Sequence, residues 1–387
     1  MYIVEGSASF LASISMIKPI AFYLPQFHCI PENNEWWGEG FTEWTNVKKS
    51  KPLFKGHNQP EVPLSQNYYN LLDCETMINQ AKIAKKYGVY GFCYYHYWFE
   101  GKLLLEKPLE NMLVTPEIDM PFCMCWANES WARTWDGQET NVLIKQRYDD
   151  DENGWSKHFN YLFNFFNDPR YIKVDNKPML IIYKPFLITN LKEMMIFWNK
   201  LAIENGFEGI YFGYQYPKSF DYDIVTRNFD FGIEFEPLYT NYEISKKTKM
   251  DKVKLCLKSS KAINHFFSLK FKKNNQPSIY NYDFIWSQIL SRSPKEKNIM
   301  PGAFPAWDNS PRKGNNALVF YPATPEKFGK YIKSQVERAV KVYNSEYIFI
   351  NAWNEWGEGA HLEPDEHNKF GYLEALEKAV DKYNNQD

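Results

Sequence analysis

The sequence repeats one pattern eight times: a short β-rich run, then a polar aromatic loop, then a stretch of helical periodicity. We predict strands at about 19–24, 89–97, 121–126, 179–183, 209–214, 231–235, 301–306 and 347–352. The predicted helices lie at 73–87, 105–114, 155–167, 190–205, 246–268, 280–292, 325–343 and 370–384. Strands that alternate with helices favour parallel βα units, and eight such units are typical of a (β/α)8 barrel of the TIM type, an α/β fold.

The same pattern suggests how the 387 residues are organised. We predict one catalytic barrel domain over 18–387, with extended βα loops, because no linker or low-complexity tract divides it. Residues 1–17 are predicted to be an N-terminal extension, and we interpret the first 15 as a frayed tail or a misassigned start. This segment lacks a basic start and contains Glu5, which is not typical of a signal peptide.

Charge and cysteine usage exclude several classes of function. The chain has 45 basic and 47 acidic residues and a net charge of −2, so we expect no nucleic-acid partner. No apolar run reaches the roughly 18 residues that a membrane helix needs. The six cysteines and seven histidines follow no metal-binding spacing, so we predict reduced thiols in the cytoplasm, no metal and no cofactor. The oligomeric state is left open.

Polar and aromatic residues concentrate just after the predicted strands. Active sites of (β/α)8 barrels lie at the carboxyl ends of the strands, so these residues are candidates for one ligand cleft. A single aromatic residue is more often part of the core, and only the clustering favours a site. The candidate sugar-binding residues are Tyr23, His28, Trp36, Trp37, Glu43, Trp44, His57, Tyr95, Tyr97, Trp98, Trp126, Asn128, Glu129, Trp131, Arg133, Asp136, Tyr183, Tyr214, Glu236, Trp307, Asp308, Arg312, Asn354, Trp356 and His361.

The stretch from Tyr347 to Asp365 carries the candidate catalytic residues, Glu355 and Glu358. Two carboxylates beside indoles are what the cleavage of a glycosidic bond requires. Residues three apart permit carboxyl separations of roughly 5 to 9.5 Å, which include both retaining and inverting geometries. The spacing therefore leaves the stereochemistry open. A solvated acidic loop is the alternative interpretation of this Glu-x-x-Glu motif.

Five motifs resemble those of the WbsX family. They are Ala21-Phe-Tyr-Leu-Pro-Gln-Phe-His28, Trp36-Trp-Gly-Glu-Gly-Phe-Thr-Glu-Trp-Thr-Asn-Val47, Cys125-Trp-Ala-Asn-Glu129, Trp307-Asp-Asn-Ser-Pro-Arg312 and Asn354-Glu-Trp-Gly-Glu-Gly359. The resemblance covers nearly the whole chain from Lys18, and it implies glycosyltransferase activity in lipopolysaccharide O-antigen synthesis. The family is similar in turn to glycoside hydrolase family 99, the endo-α-mannosidases and endo-mannanases, mainly through the Glu-x-x-Glu turn.

The similarity to family 99 implies a (β/α)8 fold and a retaining mechanism through an anhydro-sugar. By that similarity Glu355 deprotonates the sugar 2-hydroxyl and Glu358 is the general acid/base. We expect burial against Trp356, or an ionised Glu355, to raise the pKa of Glu358. The family 99 turn usually has His where this chain has Gly357. The implied partner is an oligo- or polysaccharide.

Two other functions remain open at this stage. A nucleotide-sugar glycosyltransferase needs a diphosphate site, for which Asp221-Tyr-Asp223 has the Asp-x-Asp form. Acidic residues at the start of a helix are the favoured interpretation of this motif. A non-catalytic carbohydrate-binding barrel explains the aromatic residues but not the paired carboxylates.

Overall fold

The computed structural model describes residues 16–133, 138–148, 151–215, 228–246 and 276–385. For residues 132, 133 and 138–141 it describes the backbone alone. The predicted N-terminal extension lies almost entirely outside these ranges. In the described part of the chain no helix is long and apolar enough to cross a membrane.

Eight parallel strands form the ring that the sequence predicts. They are strand 1 (Lys18–Tyr23), strand 2 (Gly91–Phe99), strand 3 (Phe122–Trp126), strand 4 (Lys177–Ile182), strand 5 (Tyr211–Gln215), strand 6 (Phe231–Ile233), strand 7 (Ile299–Met300 and Gly302–Ala303) and strand 8 (Tyr347–Ile350). Each of strands 1 to 5 pairs with the next, and strand 1 also pairs with strand 8, all in parallel. The predicted (β/α)8 fold is confirmed.

Strand 7 closes the ring in two halves. Ile299–Met300 pairs with strand 6, whereas Gly302–Ala303 pairs with strand 8. Pro301 lies between the halves, and the Phe349 N–H donates to its carbonyl at 3.0 Å. Proline has no N–H to donate to a ladder, which explains the break between the two halves. The strand begins two residues and ends three residues earlier than the predicted 301–306.

Helices follow the strands and pack around them. The described α-helices are Pro31–Trp37, Glu43–Lys49, Cys74–Lys86, Lys107–Val114, Glu152–Phe166, Leu191–Glu204, Leu238–Lys246, Tyr282–Ser291, Ser310–Lys313, Pro325–Lys341 and Gly371–Asn384. Short additional strands are Lys102–Leu104, Trp131–Arg133, Gln138–Ile144, Lys173–Val174, Ser278–Asn281, Leu318–Tyr321, Asn354–Glu355 and Ala360–His361. The predicted helix at 246–268 falls almost wholly outside the described residues.

The helix Pro325–Lys341 shows why these segments are helical. The Thr324 side chain accepts a hydrogen bond from the Lys327 N–H, and Pro325 occupies the first turn, where its missing N–H costs nothing. Phe328, Ile332 and Val336 recur every four residues and are fully buried against the barrel. The opposite face is polar, so one stripe of the helix joins the core.

Aromatic rings fill the interior of the barrel. Phe22 packs on Tyr95, Phe235 and Phe349 with ring centroids 5.1 to 5.7 Å apart. Gly213 makes room for this packing, because a Cβ there would lie 2.1 Å from the Phe231 ring. The candidate site lies above this filled interior, at the carboxyl ends of the strands.

Candidate active site

A short hairpin after strand 8 carries both candidate carboxylates. Asn354–Glu355 pairs antiparallel with Ala360–His361, and a 3-10 turn, Trp356–Glu358, joins them. Gly359 ends the turn at φ 56°, a left-handed conformation that favours glycine. The tight turn explains how carboxylates three residues apart come to border the same cavity.

Arg312 binds three carboxylates at once. Its Nη2 donates to Glu355 at 2.8 Å, its Nη1 contacts Glu358 at 2.8 Å and its Nε donates to Glu43 at 2.8 Å. The Glu43 side chain is fully buried, whereas that of Glu358 is 24% exposed. Because two carboxylates share one planar guanidinium, their bonded oxygens lie within about 8 Å of each other. An oxygen separation below about 8 Å is compatible with a retaining mechanism and with the shorter separations found in inverting enzymes.

Charge crowding and burial favour a proton on this cluster. Burial raises the pKa of Glu355 to about 8, Arg312 opposes that shift, and Glu358 and Glu43 add to it. For Arg312 burial favours loss of the proton, but the three carboxylates outweigh it and raise its pKa. The cluster therefore combines a permanent cation with a carboxyl that is protonated near neutral pH.

Both glycines of the motif are required by close contacts. A Cβ at Gly357 would lie 1.7 Å from Glu43 Oε1 and 2.6 Å from Arg312 Nε, so the ion pair occupies the space of a side chain. A Cβ at Gly359 would lie 2.9 Å from the Asp308 Cβ. The position where family 99 usually has His is therefore filled here by residues from two other loops.

The cavity at the mouth of the barrel has a volume of about 290 Å3. The structure brings nine predicted residues together around it: Trp37, Tyr95, Tyr97, Glu129, Trp131, Tyr183, Arg312, Glu355 and Glu358. Trp36 lies behind this wall, with its ring edge-on to Trp131 at 5.8 Å. Aromatic faces and carboxylates thus line one cleft, as carbohydrate binding requires.

The prediction missed several cavity residues. They are Leu24, Gln26, Asn33, Ala127, Ser130, Leu143, Phe235, Leu238 and Lys313. Asn33 has a distinctive environment, because it is fully buried and neither amide atom has a hydrogen-bond partner among the described residues. The signal that was available for Gln26 is its position directly after strand 1.

Several predicted aromatic residues face the helices instead of the cleft. Tyr23 donates to Gln80 at 2.5 Å, and Trp98 stacks on His158 with ring centroids 4.5 Å apart. Trp126 packs edge-on against the same His158, and Tyr214 packs on Phe229. None of these four residues borders the cavity, because side chains alternate between the two faces of a strand and theirs lie on the face turned away from it.

Other predicted residues support the site from beneath. Trp356 is fully buried, stacks on His361 at 3.7 Å and donates to Glu363 at 2.7 Å. Trp44 packs on Trp356 at 5.3 Å. None of Trp44, Trp356 and His361 borders the cavity, so the structure places all three behind its wall.

Asp308 holds the turn that carries Glu358. Its backbone N–H donates to the Glu358 carbonyl at 2.6 Å, and its carboxylate accepts from His57 at 2.7 Å and Gln59 at 2.6 Å. The Leu53 N–H donates to His57 Nδ1, so Nε2 carries the hydrogen that His57 donates to Asp308. His57 and Asp308 therefore position the hairpin and do not border the cavity.

Two asparagines join neighbouring loops. Asn354 accepts from the Leu24 N–H at 2.7 Å and donates to the Leu24 carbonyl at 3.0 Å, which ties the hairpin to strand 1. Asn128 makes the same two-way contact with the backbone of Lys184. Their amides are thus used within the protein, and neither residue borders the cavity.

The remaining predicted residues lie elsewhere. His28 is buried, and its Nδ1 lies 3.1 Å from the Pro25 carbonyl oxygen. Burial lowers the pKa of His28 to about 4. Glu236 is buried in a separate ion pair with Arg292, and Trp307 is buried in the core. The Arg133 side chain and Asp136 lie outside the described residues.

Among the described residues no group of three or more His, Cys, Asp or Glu side chains is arranged to hold a metal ion. Lys184 pairs with Glu129 beside the cavity. The carboxylates and Arg312 at the cavity can perform proton transfer and electrostatic stabilisation.

The fold and the site together define a (β/α)8-barrel protein of the carbohydrate-active class. The chain belongs to the WbsX glycosyltransferase family, which it matches over residues 19–376. The family is named for glycosyltransferases, which are enzymes of the glycosidic-bond class that the sequence analysis predicts.

The chain is also similar to curated proteins and to solved structures. An uncharacterized WxcX protein of Xanthomonas campestris pv. campestris is 34% identical over 367 residues, which is 93% of this chain and 49% of that protein. The chain thus spans about half the length of the curated relatives it matches. The family 99 endo-α-mannosidase of Bacteroides thetaiotaomicron has a TM-score of 0.55 at 13% identity, with 95% of this chain and 97% of that chain covered. A glycoside hydrolase-like protein has a TM-score of 0.56 at 13% identity, with 94% of each chain covered. At these identities the likeness concerns the fold.

Proposed function

We propose that this protein cleaves or transfers glycosidic bonds of a bacterial surface polysaccharide, with Glu355 and Glu358 as its catalytic carboxylates and retention at the anomeric carbon. The observation that carries the proposal is the placement of both carboxylates on one guanidinium, at the border of an aromatic-walled cavity. A solvated acidic loop would have no reason to bury this pair with Arg312.

Each step of the proposed reaction conserves atoms and protons. Glu355 takes the proton of the donor sugar's 2-hydroxyl, whose oxygen attacks the anomeric carbon as the glycosidic bond breaks. Glu358 gives its proton to the leaving oxygen, and a 1,2-anhydro sugar remains. Glu358 then takes a proton from the acceptor hydroxyl, which opens the anhydro ring at the anomeric carbon, and Glu355 returns its proton to O2. Two inversions give net retention.

The proposal requires one proton on the pair at neutral pH. Burial raises the pKa of Glu355 to about 8, so the resting pair holds a proton near neutral pH. The reaction needs it on Glu358, and both carboxylates contact the same Arg312. We propose that the donor sugar, by placing its 2-hydroxyl on Glu355, favours the state in which Glu358 is protonated. The two groups then titrate as a unit.

The aromatic walls supply the proposed sugar subsites. Trp37 and Trp131 border the cavity from the loops after strands 1 and 3, and Tyr95, Tyr97 and Tyr183 border it from the barrel itself. Indole and phenol faces complement the apolar faces of pyranose rings. Burial raises the pKa of all three tyrosines well above its usual range, so they act as neutral hydroxyl groups.

The acceptor decides between hydrolysis and transfer. The name of the family favours transfer to a sugar, and synthesis of O-antigen or another lipopolysaccharide is part of this proposal. The cysteines of the described chain, from Cys29 to Cys125, are free thiols, which supports a reducing compartment such as the cytoplasm.

A nucleotide-sugar-dependent transferase is the second candidate, favoured only by the family name. Its possible diphosphate motif, Asp221 to Asp223, lies outside the described residues. Titration calorimetry with UDP- and GDP-sugars tests this candidate. Binding at micromolar concentrations, abolished by changing both aspartates to asparagine, would favour it over the mechanism above.

The test of the main proposal compares E355Q and E358Q with wild type on a panel of bacterial surface polysaccharides, with products measured by mass spectrometry. The turnover of each variant should fall by about 10²- to 10⁴-fold, which is the typical contribution of a proton-transfer group. Glu204→Gln is the matched control, because Glu204 is an exposed helix residue far from the cavity. Wild-type turnover in either active-site variant would refute the proposed roles.

The separate roles of the two residues can be resolved with an aryl glycoside that has an activated leaving group. Such a substrate needs no proton at its leaving oxygen. The rate of the first step should therefore fall far less in E358Q than in E355Q. A substrate methylated at O2 should be inert to the wild type. Equal losses in the two variants would contradict this division of roles.

A further inference from the structure

Glu43 has an environment that substrate binding does not explain. It is the first residue of the helix Glu43–Lys49, its side chain is fully buried, and it does not border the cavity. Its Oε1 accepts from Arg312 Nε at 2.8 Å, and its Oε2 has no partner among the described residues. A sugar in the cavity therefore meets Arg312, Glu355 and Glu358 but not Glu43.

A purely structural role does not account for this carboxylate. Burial of a charge costs free energy, and an apolar residue of similar size is often as good or better for stability. Arg312 already has two carboxylate partners, Glu355 and Glu358, at 2.8 Å each. A third buried carboxylate changes the charge balance that those two residues experience.

The space at Gly357 is matched to this arrangement. The missing side chain leaves room for Glu43 Oε1 and Arg312 Nε, each of which a Cβ would displace. The Arg312 Nε contacts Glu43, and its two terminal nitrogens contact Glu355 and Glu358. Three loops, those after strands 1, 7 and 8, meet at this one group.

We propose that Glu43 is a positioning residue that acts through Arg312: it fixes the guanidinium between Glu355 and Glu358 and keeps their shared proton bound at neutral pH. The inference rests on the function proposed above, because it assigns a purpose to that proton. Arg312 is accordingly a charge-setting residue of the pair, and its primary partners are carboxylates and not sugar hydroxyls.

Other charged and titratable groups face the pair from neighbouring elements. Tyr95, Tyr97 and Tyr183 interact electrostatically with Glu355, and they stay neutral because burial raises their pKa well above its usual range. Glu129 and Lys313 also border the cavity. Arg312 joins Glu43 to Glu355 directly.

The charge arrangement predicts opposite effects for two substitutions. Glu43→Gln removes a negative charge, so the positive charge of Arg312 acts on Glu355 and Glu358 alone. This carboxylate pair should then lose its proton at a lower pH. The basic limb of the kcat/KM profile should move down by about one pH unit. Arg312→Gln removes the cation and should move the limb up. Arg312→Lys keeps the charge, and its limb should lie near that of wild type with a lower kcat.

A structural role alone would lower activity without moving the limb. Asp230→Asn is the matched control, because Asp230 is a half-buried carboxylate that accepts from the Phe212 N–H beside strand 6, away from the cavity. It should leave the limb unshifted. If Arg312→Gln fails to fold, Glu43→Gln decides alone: a limb that stays in place, or moves up, overturns the proposal.

A titration that needs no turnover separates this inference from the proposed function. The carboxyl carbons of selectively ¹³C-glutamate-labelled protein are followed by NMR, with Glu355 assigned from the signal missing in Glu355→Gln. A lower midpoint of Glu355 in Glu43→Gln supports the inference even if no polysaccharide is turned over. An unchanged midpoint overturns it even if the protein proves to be a glycosidase.

Discussion

The substitution Gly357→Ala tests the geometry of the site most severely. The added Cβ would lie 1.7 Å from Glu43 Oε1, about half an ordinary contact distance, and 2.6 Å from Arg312 Nε. Relief of that overlap requires a displacement of well over 1 Å, which breaks the 2.8 Å bond between Glu43 and Arg312. Loss of one partner of a buried ion pair costs about 3–5 kcal/mol.

We therefore expect Gly357→Ala to lower the free energy of unfolding by about 3–5 kcal/mol, measured by urea denaturation. Activity should fall at least tenfold, because the cation that orients Glu355 and Glu358 is displaced. In a Glu43→Ala background the same substitution should cost much less, since the clashing oxygen is gone. This coupling in a double-mutant cycle attributes the cost to that contact.

Gly329→Ala is the control for this substitution. Gly329 lies inside the helix Pro325–Lys341, where an added Cβ meets only the Ala375 Cβ at 3.3 Å. It should change stability by no more than about 1 kcal/mol. A Gly357→Ala protein as stable and active as this control would refute the described packing of Glu43 and Arg312.

Three further predictions concern the surroundings of the pair. Trp131→Ala should raise KM about tenfold in steady-state kinetics, because the Trp131 ring borders the cavity, whereas Trp131→Phe should keep most of the binding. A KM for Trp131→Ala equal to that of wild type would contradict this. The buried amide of Asn33 has no hydrogen-bond partner among the described residues. Asn33→Leu should therefore stabilise the sugar-free protein by about 1 kcal/mol in thermal unfolding and weaken sugar binding. A destabilised variant would show that Asn33 has a structural role instead. Burial opposes the charge of His361, but Glu61 outweighs it and raises its pKa to about 9. Stabilisation by charged His361 is thus full below about pH 6.5 and lost as pH rises through about 9, so His361→Gln should cost less at high pH; a pH-independent difference would refute the charged pair.

The barrel was predictable because its signal is repeated along the chain. Each β-rich run is followed by a helix, and a misjudged boundary in one unit leaves the count of eight intact. The carboxyl-end rule then placed Glu355, Glu358, Tyr95 and Trp131 at one cavity, as the structure has them.

The faces of individual strand residues were harder to predict. Tyr95 and Tyr97 face the cleft, whereas Trp98 and Trp126 face the helices. A boundary error of a single residue reverses this assignment, because side chains alternate with a period of two. Sequence composition cannot distinguish an aromatic residue on one face from its neighbour on the other.

Contacts between distant loops carry no local signal. Glu43 and Arg312 are 269 residues apart, yet they form one ion pair against Gly357. Asn33 was missed for the same reason, since a single asparagine in a polar loop follows no pattern. Their importance arises from burial and from the close approach of three loops, which only the folded structure provides.

The most direct test of the central claim is the anomeric configuration of the first product, observed by ¹H NMR as wild-type protein acts on a polysaccharide from the panel. The account predicts that the product first appears with the anomeric configuration of the substrate, and that neither E355Q nor E358Q forms it. A product that first appears inverted, or one that E355Q forms at the wild-type rate, would contradict the assignment of the two carboxylates.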